Sequence, residues 1–277
     1  MRARADEAGG GHPGGGRWKV RVHGVWLVTL LAGCGGSMPA GPTAGIEVSP
    51  APTLRGADSV LRQEEGGLPF RRILCFGDSV TLGITQRVAG ASEEGRAALT
   101  TVEGYVPKLS RLLAAEFGEG IDVINSGIGG ETTTEGLERI DNEVRRFEPE
   151  LILLLEGVVD VNTESPRFPV VRANLSEMMR IAKIRGVAII IGTFPLLNPE
   201  GFRTQGYMNV PRLNDIIRQE AKSHGVPIAD HEMAQGGDLR GQGPDGLHPN
   251  ELGYEMMAQT WLEAIEALAA SMAGPTE

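Results

Sequence analysis

Residues 71–79 read Arg-Arg-Ile-Leu-Cys-Phe-Gly-Asp-Ser, which is a basic pair, a continuous apolar run and a short polar turn. An apolar run without polar alternation is typical of a strand that is buried on both faces of a parallel sheet. We therefore predict a β-strand over Arg71–Phe76 that ends in a sharp turn carrying Ser79. Four more apolar runs of this kind follow along the chain: Ile121–Ile124, Leu151–Leu155, Val187–Ile191 and Val226–Ala229.

Amphipathic helices are predicted between these strands. Apolar side chains recur at helical spacing from Val171 to Ala182 and again from Leu213 to Ala221. A last helix is predicted after Asn250, whose side chain is a suitable N-cap. Alternating strands and helices predict a three-layer α/β domain with a five-stranded parallel sheet. Segments 85–103 and 195–210 are interpreted as loops that shape a pocket.

Polar residues with complementary chemistry follow the first predicted strand and precede the last helix. Ser79 is a weak nucleophile unless a neighbouring imidazole takes its proton, and His248 can serve as that base. Asp245 lies three positions before His248. A single loop can therefore hold this carboxylate on the second ring nitrogen, where it fixes the tautomer and stabilises the imidazolium. The pattern predicts a serine hydrolase with Ser79, Asp245 and His248 as its catalytic residues.

The chain resembles the GDSL or SGNH hydrolases over about residues 71–270. The resemblance is carried by Gly77-Asp78-Ser79, by residues 125–133 (Asn-Ser-Gly-Ile-Gly-Gly-Glu-Thr-Thr) and by residues 245–248 (Asp-Gly-Leu-His). It implies a flavodoxin-like α/β/α fold and an oxyanion hole formed by the backbone N–H groups of Ser79 and Gly130. It also implies hydrolysis of a small ester, a thioester or a lipid ester, as in the lysophospholipase- and arylesterase-like members.

One block departs from the family pattern. The family has Gly-x-Asn-Asp after its third strand, and the asparagine side chain donates to the oxyanion. Here residues 157–160 read Gly-Val-Val-Asp, so Val159 occupies the asparagine position and offers no donor. Asn162 is an alternative donor to the oxyanion hole, although an asparagine at such a position more often closes its own loop.

Two other functions remain open, and Val159 is the reason for the first of them. One is a catalytically weakened domain that binds acyl or O-acetylated glycan ligands without efficient turnover. The other is a carbohydrate O-deacetylase, which would use the same chemistry on a different substrate.

The N-terminal sequence predicts a bacterial lipoprotein. Basic residues precede the apolar run Val25–Leu31, which is shorter than a membrane-spanning helix requires. Leu31-Ala32-Gly33-Cys34 resembles the lipoprotein box and implies a signal peptide over 1–33, cleavage before Cys34 and lipidation of its sulfur. We therefore expect an extracytoplasmic protein, at the cell surface or in the periplasm, that is anchored to a membrane at Cys34. The alternative is an ordinary signal peptide followed by a chance cysteine.

The remaining organisation follows from composition. Residues 34–70 are rich in Pro, Gly, Ala and Ser and are expected to form a flexible tether ahead of a hydrolase domain over 71–272. A formal net charge of −10 on 277 residues disfavours nucleic acid as a partner. No metal or cofactor is indicated, because the chain has neither zinc-ligand spacing nor a phosphate-binding loop. Cys75 is expected to be a buried apolar residue. His231 is expected in a surface turn, and a place at the rim of the site is the alternative.

Overall fold

The computed structural model of the chain describes residues 67–87, 98–101 and 103–274. The predicted signal peptide, Cys34 and most of the predicted tether lie outside these residues. Leu68 and Phe70 lie inside them and are 4% and 3% exposed within the hydrophobic core. The tether prediction over 34–70 is therefore wrong at its end, because these two side chains bury apolar surface against the domain.

All five predicted strands are present and form one parallel sheet. They are β1 (Arg72–Gly77), β4 (Asp122–Gly127), β5 (Leu151–Leu155), β6 (Ala188–Gly192) and β7 (Ile228–Ala229). The order across the sheet is β4-β1-β5-β6-β7, with β1 bonded to β4 on one side and to β5 on the other. Ile73 to Phe76 and every residue of β5 are fully buried, as the continuous apolar runs predict. The prediction of burial on both faces is wrong for β4, because this strand lies at the edge of the sheet and its Val123 and Ile124 are only half-buried.

A short antiparallel pair, β2 (Ile84–Arg87) and β3 (Ala98–Thr101), lies apart from the main sheet. It occupies part of the segment that the sequence predicted as a loop over 85–103.

Helices cover the sheet in two groups. Helix α2 (Tyr105–Phe117) packs on α8 (Glu251–Ala273), while α5 (Phe168–Ile184) packs between α3 (Thr133–Phe147) and α6 (Val210–His224). Three shorter helices are α1 (Ser79–Leu82), α4 (Val158–Val161) and α7 (His231–Gln235). Asn250 caps α8 as predicted, since its side chain accepts a hydrogen bond from the N–H of Gly253.

This architecture places β1 at the point where the sheet grows in opposite directions, because the chain passes from β1 to β4 and then crosses back to β5. Ligand sites of open α/β sheets form at such points, beyond the carboxyl ends of the strands. Ser79 directly follows β1 there. Among the described residues, no helix is both long enough and apolar enough to cross a bilayer.

Candidate active site

Ser79 begins helix α1 immediately after β1. Asp78 caps this helix, because its carboxylate accepts a hydrogen bond of 2.8 Å from the N–H of Val80. The turn is so tightly packed that a Cβ on Gly77 would lie 2.3 Å from the carbonyl oxygen of Leu155. Only glycine fits there, and the short turn holds Ser79 at the end of the strand with 6% of its surface exposed.

The loop before α8 brings His248 to this serine. The Nε2 atom of His248 lies 2.9 Å from the Oγ of Ser79, and its Nδ1 atom lies 2.6 Å from Oδ2 of Asp245. The other carboxylate oxygen of Asp245 accepts the backbone N–H groups of Leu247 and His248. The structure thus joins the three residues predicted from the sequence into one hydrogen-bonded chain.

The environment of Asp245 keeps this residue ionised. Burial by itself raises the pKa of a carboxyl group, but the hydrogen bonds from the imidazole and backbone of His248 outweigh that effect and lower the pKa of Asp245 below its usual range. The guanidinium of Arg203 adds a positive charge 3.9 Å from the carboxylate. An ionised Asp245 can hold the Nδ1 proton of His248 and leave Nε2 to accept the proton of Ser79.

The resemblance implies that the backbone N–H groups of Ser79 and Gly130 receive negative charge. Gly130 precedes helix α3 in a turn with φ of 80°, a conformation that favours glycine. Thr132 and Glu135 form a capping box that fixes the start of α3 just after this turn. Among the described residues, neither the N–H of Ser79 nor that of Gly130 donates to a protein acceptor. This arrangement suits the oxyanion role that the resemblance implies for both.

The segment after β5 differs from the family pattern in the way that the sequence indicates. Val159 lies in α4, is half-buried and packs against the core. The side chain of Asn162 donates to the carbonyl of Arg203 at 2.7 Å and accepts from the N–H of Gly206 at 2.9 Å. These bonds hold the 203–206 segment in place. They therefore favour a loop-closing role for Asn162 and disfavour a role as an oxyanion donor.

Sequence reasoning missed a group of buried ionisable side chains around the Ser79 turn. Glu131 is 4% exposed and Glu156 is fully buried, and Arg139 pairs with Glu131 at 2.6 Å. Burial and the nearby carboxylates of Asp78 and Glu131 raise the pKa of Glu156 well above its usual range. Burial likewise raises the pKa of Asp78 to about 7. A glutamate that directly follows the apolar run 151–155 was the signal that could have revealed this group.

Two minor predictions have opposite outcomes. Cys75 is fully buried, as predicted, and burial raises the pKa of its thiol far above the usual range. The surface-turn prediction for His231 is wrong, since this side chain is 2% exposed and its ring packs edge-on against Trp261 at a centroid distance of 5.0 Å. The end of the two-residue strand β7 delivers it into the core rather than to the surface.

The chain is similar to known acylhydrolases and esterases. A family model described as the GDSL-like lipase/acylhydrolase family matches residues 75–256, which include Ser79, Gly130, Asp245 and His248. A multidomain esterase from Ruminococcus flavefaciens is 28% identical over 139 residues, which are 48% of this chain and 18% of that protein. An arylesterase from Vibrio mimicus is 28% identical over 120 residues, which are 43% of this chain and 52% of that protein.

The chain thus spans about half or less of the length of these curated relatives. The crystal structure of a lipase/acylhydrolase from Enterococcus faecalis superposes with a TM-score of 0.60 at 24% identity. That alignment covers 73% of this chain and 96% of the other and shows that the two share a fold.

Proposed function

Because the chain belongs to the GDSL-like lipase/acylhydrolase family, we propose that it hydrolyses carboxylic esters through a covalent acyl-serine intermediate. One observation carries the proposal. The Oγ of Ser79 lies 2.9 Å from Nε2 of His248, while the Nδ1 of the same ring lies 2.6 Å from the carboxylate of Asp245. A nucleophile, a base and a group that orients the base are therefore within hydrogen-bonding reach of one another.

In the proposed reaction, Oγ of Ser79 attacks the acyl carbonyl carbon while its proton passes to Nε2 of His248. Asp245 stabilises the resulting imidazolium, and the N–H groups of Ser79 and Gly130 donate to the oxyanion. The tetrahedral intermediate collapses, and the alcohol leaves with the proton from Nε2. Water then attacks the acyl-serine with His248 again as the base, which releases the carboxylic acid and restores Ser79.

The test is labelling by a fluorophosphonate probe together with hydrolysis of nitrophenyl esters by the purified protein. Ser79→Ala should abolish labelling and reduce hydrolysis to background with an unchanged circular dichroism spectrum. Ser176→Ala is a matched control, because the Oγ of Ser176 also lies 2.7 Å from a histidine nitrogen, on His224. Labelling of a different serine, or wild-type turnover by Ser79→Ala, would refute the proposal.

The range of substrates is open to the same assay. Turnover of acetyl esters and of acetylated xylan, with little activity on octanoyl esters, would identify a carbohydrate O-deacetylase. Preference for octanoyl over acetyl esters would identify a lipid or acyl esterase. If the missing donor at Val159 has reduced the protein to a binding domain, it should bind these ligands without hydrolysing them.

We further propose that Cys34 is lipidated and that it anchors the protein to an extracytoplasmic face of a bacterial membrane. The sequence alone supports this proposal, through the basic stretch, the apolar run 25–31 and the Leu-Ala-Gly-Cys ending. In a bacterial host, a palmitate analogue should label the wild type and Cys75→Ser but not Cys34→Ser. An unlabelled wild-type protein that retains residues before Cys34 would contradict the proposal.

A further inference from the structure

We propose that Arg139 is a positioning residue for the oxyanion hole, because its guanidinium ties the Gly130 turn to the Ser79 turn. The inference rests on the proposed function. Arg139 lies on α3, and its side chain reaches the carboxyl ends of β1 and β4. There it contacts each segment from which a proposed oxyanion donor projects.

The contacts of the guanidinium are numerous and specific. Its Nε and Nη2 atoms donate to the two carboxylate oxygens of Glu131, each at 2.6 Å. Nη1 donates to Oγ of Ser126 at 2.7 Å, and Nη2 also donates to the carbonyl oxygens of Ser126 at 2.8 Å and Gly77 at 3.4 Å. The guanidinium carbon lies 3.8 Å from the centre of the Phe76 ring.

These partners lie next to the two donors in the chain. Gly77 is separated from Ser79 by one residue, and Glu131 directly follows Gly130. A single planar group therefore contacts both sides of the proposed hole, through the carbonyl of Gly77 on one side and the carboxylate of Glu131 on the other. A forked guanidinium can make such bonds at once, whereas an ammonium group is a single point of charge.

Burial makes the Arg139–Glu131 pair important for the position of the turn. The two side chains are only 17% and 3% exposed. Asp78 and Glu156 are buried beside them, and their carboxyl groups act on one another. Without the guanidinium, the carboxylate of Glu131 would be left buried near other carboxyl groups. Its burial would then cost free energy that no partner offsets, and a rearrangement that exposes the carboxylate would release the Gly130 turn.

Val159 increases the dependence on this arrangement. Valine offers no side-chain donor, so the proposed hole consists of backbone N–H groups alone. Such donors act only when they are held in place before the charge develops, and a displacement of about 1 Å lowers the rate about a hundredfold.

The experiment compares Arg139→Gln and Arg139→Lys with the wild type, with kcat expressed per serine titrated to completion by the fluorophosphonate. We expect Arg139→Gln to lower kcat about a hundredfold while KM stays within about threefold. An alkylboronic acid forms a tetrahedral anionic adduct with an active serine, so its affinity should fall by a factor similar to that for kcat. Arg139→Lys keeps the charge and should retain intermediate activity, about tenfold below the wild type.

Arg218→Gln is the matched control. Arg218 also holds two carboxylates, those of Asp230 at 2.8 Å and Glu232 at 2.7 Å, but it contacts neither donor segment. Its loss should destabilise the fold with little effect on kcat per titrated serine. If Arg139→Gln does not fold, Glu131→Gln replaces it, because this near-isosteric change cuts the same ion pair and should lower kcat about tenfold.

The outcomes separate the two proposals. A wild type that is neither labelled nor active refutes the proposed function. An active wild type whose Arg139 or Glu131 variants match Arg218→Gln overturns the inference. So does a loss of kcat that leaves the affinity for the boronic acid unchanged, since the variants would then not act on the oxyanion.

Discussion

Two buried histidines in this domain have contrasting surroundings. His248 is 4% exposed and His231 is 2% exposed, and each begins or precedes a helix near the end of the chain. The imidazole of His248 is bonded to Asp245 on one side and to Ser79 on the other. Among the described residues, neither ring nitrogen of His231 has a hydrogen-bond partner.

The contrast separates burial from function. For His231, desolvation lowers the pKa to about 3, although the nearby carboxylate of Asp230 acts in the opposite direction, so the ring stays neutral. His248 is just as inaccessible, but an ionised carboxylate on Nδ1 can stabilise a proton at this ring. The proposed role of His248 as a base therefore depends on its two partners, one from a neighbouring loop position and one from a distant strand end.

Replacing Asp245 with asparagine should remove the ionised partner that distinguishes His248 from His231, and it should have the largest effect on kcat. The amide cannot stabilise the imidazolium and favours the wrong tautomer of His248, so kcat should fall by about 10⁴-fold while KM changes little. Steady-state kinetics on a nitrophenyl ester gives both values. His231→Phe is the control and should keep kcat within about twofold. A loss of less than tenfold in Asp245→Asn would mean that the carboxylate is not the group that prepares His248.

His231→Phe should instead change the dependence of stability on pH. The folded protein holds His231 neutral, with a pKa lowered to about 3, whereas the unfolded chain protonates it near pH 6.5. The unfolded state therefore binds more protons between these values, and the free energy of unfolding falls as the pH falls from 6.5 towards 3. The expected loss is about 1.4 kcal/mol per pH unit, or about 2 kcal/mol between pH 6.5 and pH 5.

Urea unfolding at pH 7.5 and pH 5 measures this effect. Other groups titrate in both proteins, so the quantity of interest is the stability of His231→Phe relative to the wild type. Phenylalanine keeps an aromatic ring beside Trp261 and removes the titrating group, so this relative stability should rise at pH 5. An equal difference between the two proteins at both pH values would show that His231 does not titrate in this window.

The sequence predicted the sheet and the Ser79–His248–Asp245 chain because both leave local signals. Continuous apolar runs identify central strands, and a serine, a histidine and an aspartate at strand and helix ends have complementary chemistry. Three features had no such signal. The depth of His231 depends on how short β7 is, and the burial of Leu68 depends on distant core residues. Arg139 reaches the carbonyls of Gly77 and Ser126 only when α3 packs beside β1.

Val159→Asn tests whether a side-chain partner also matters in the proposed oxyanion hole, which consists of backbone N–H groups. A side-chain donor to the oxyanion commonly contributes about 10²–10³-fold to kcat. We expect a gain of about tenfold, because α4 holds a half-buried valine and an asparagine placed there gains only part of the donor geometry. The effect should appear in kcat rather than KM, since negative charge develops on the oxygen only in the transition state.

Two further variants make this last prediction decisive. Val170→Asn places the same change on an exposed valine of α5 and should leave kcat unaltered. Asn162→Ala should alter kcat by less than about twofold, because the amide already bonds Arg203 and Gly206.

A sharp loss in Asn162→Ala, with no gain in Val159→Asn, would instead make Asn162 the third donor. Negligible change in both would mean that the backbone donors act alone. The lesson from the two histidines, that side-chain partners determine function, would then not extend to the oxyanion hole, because main-chain N–H groups would be sufficient there.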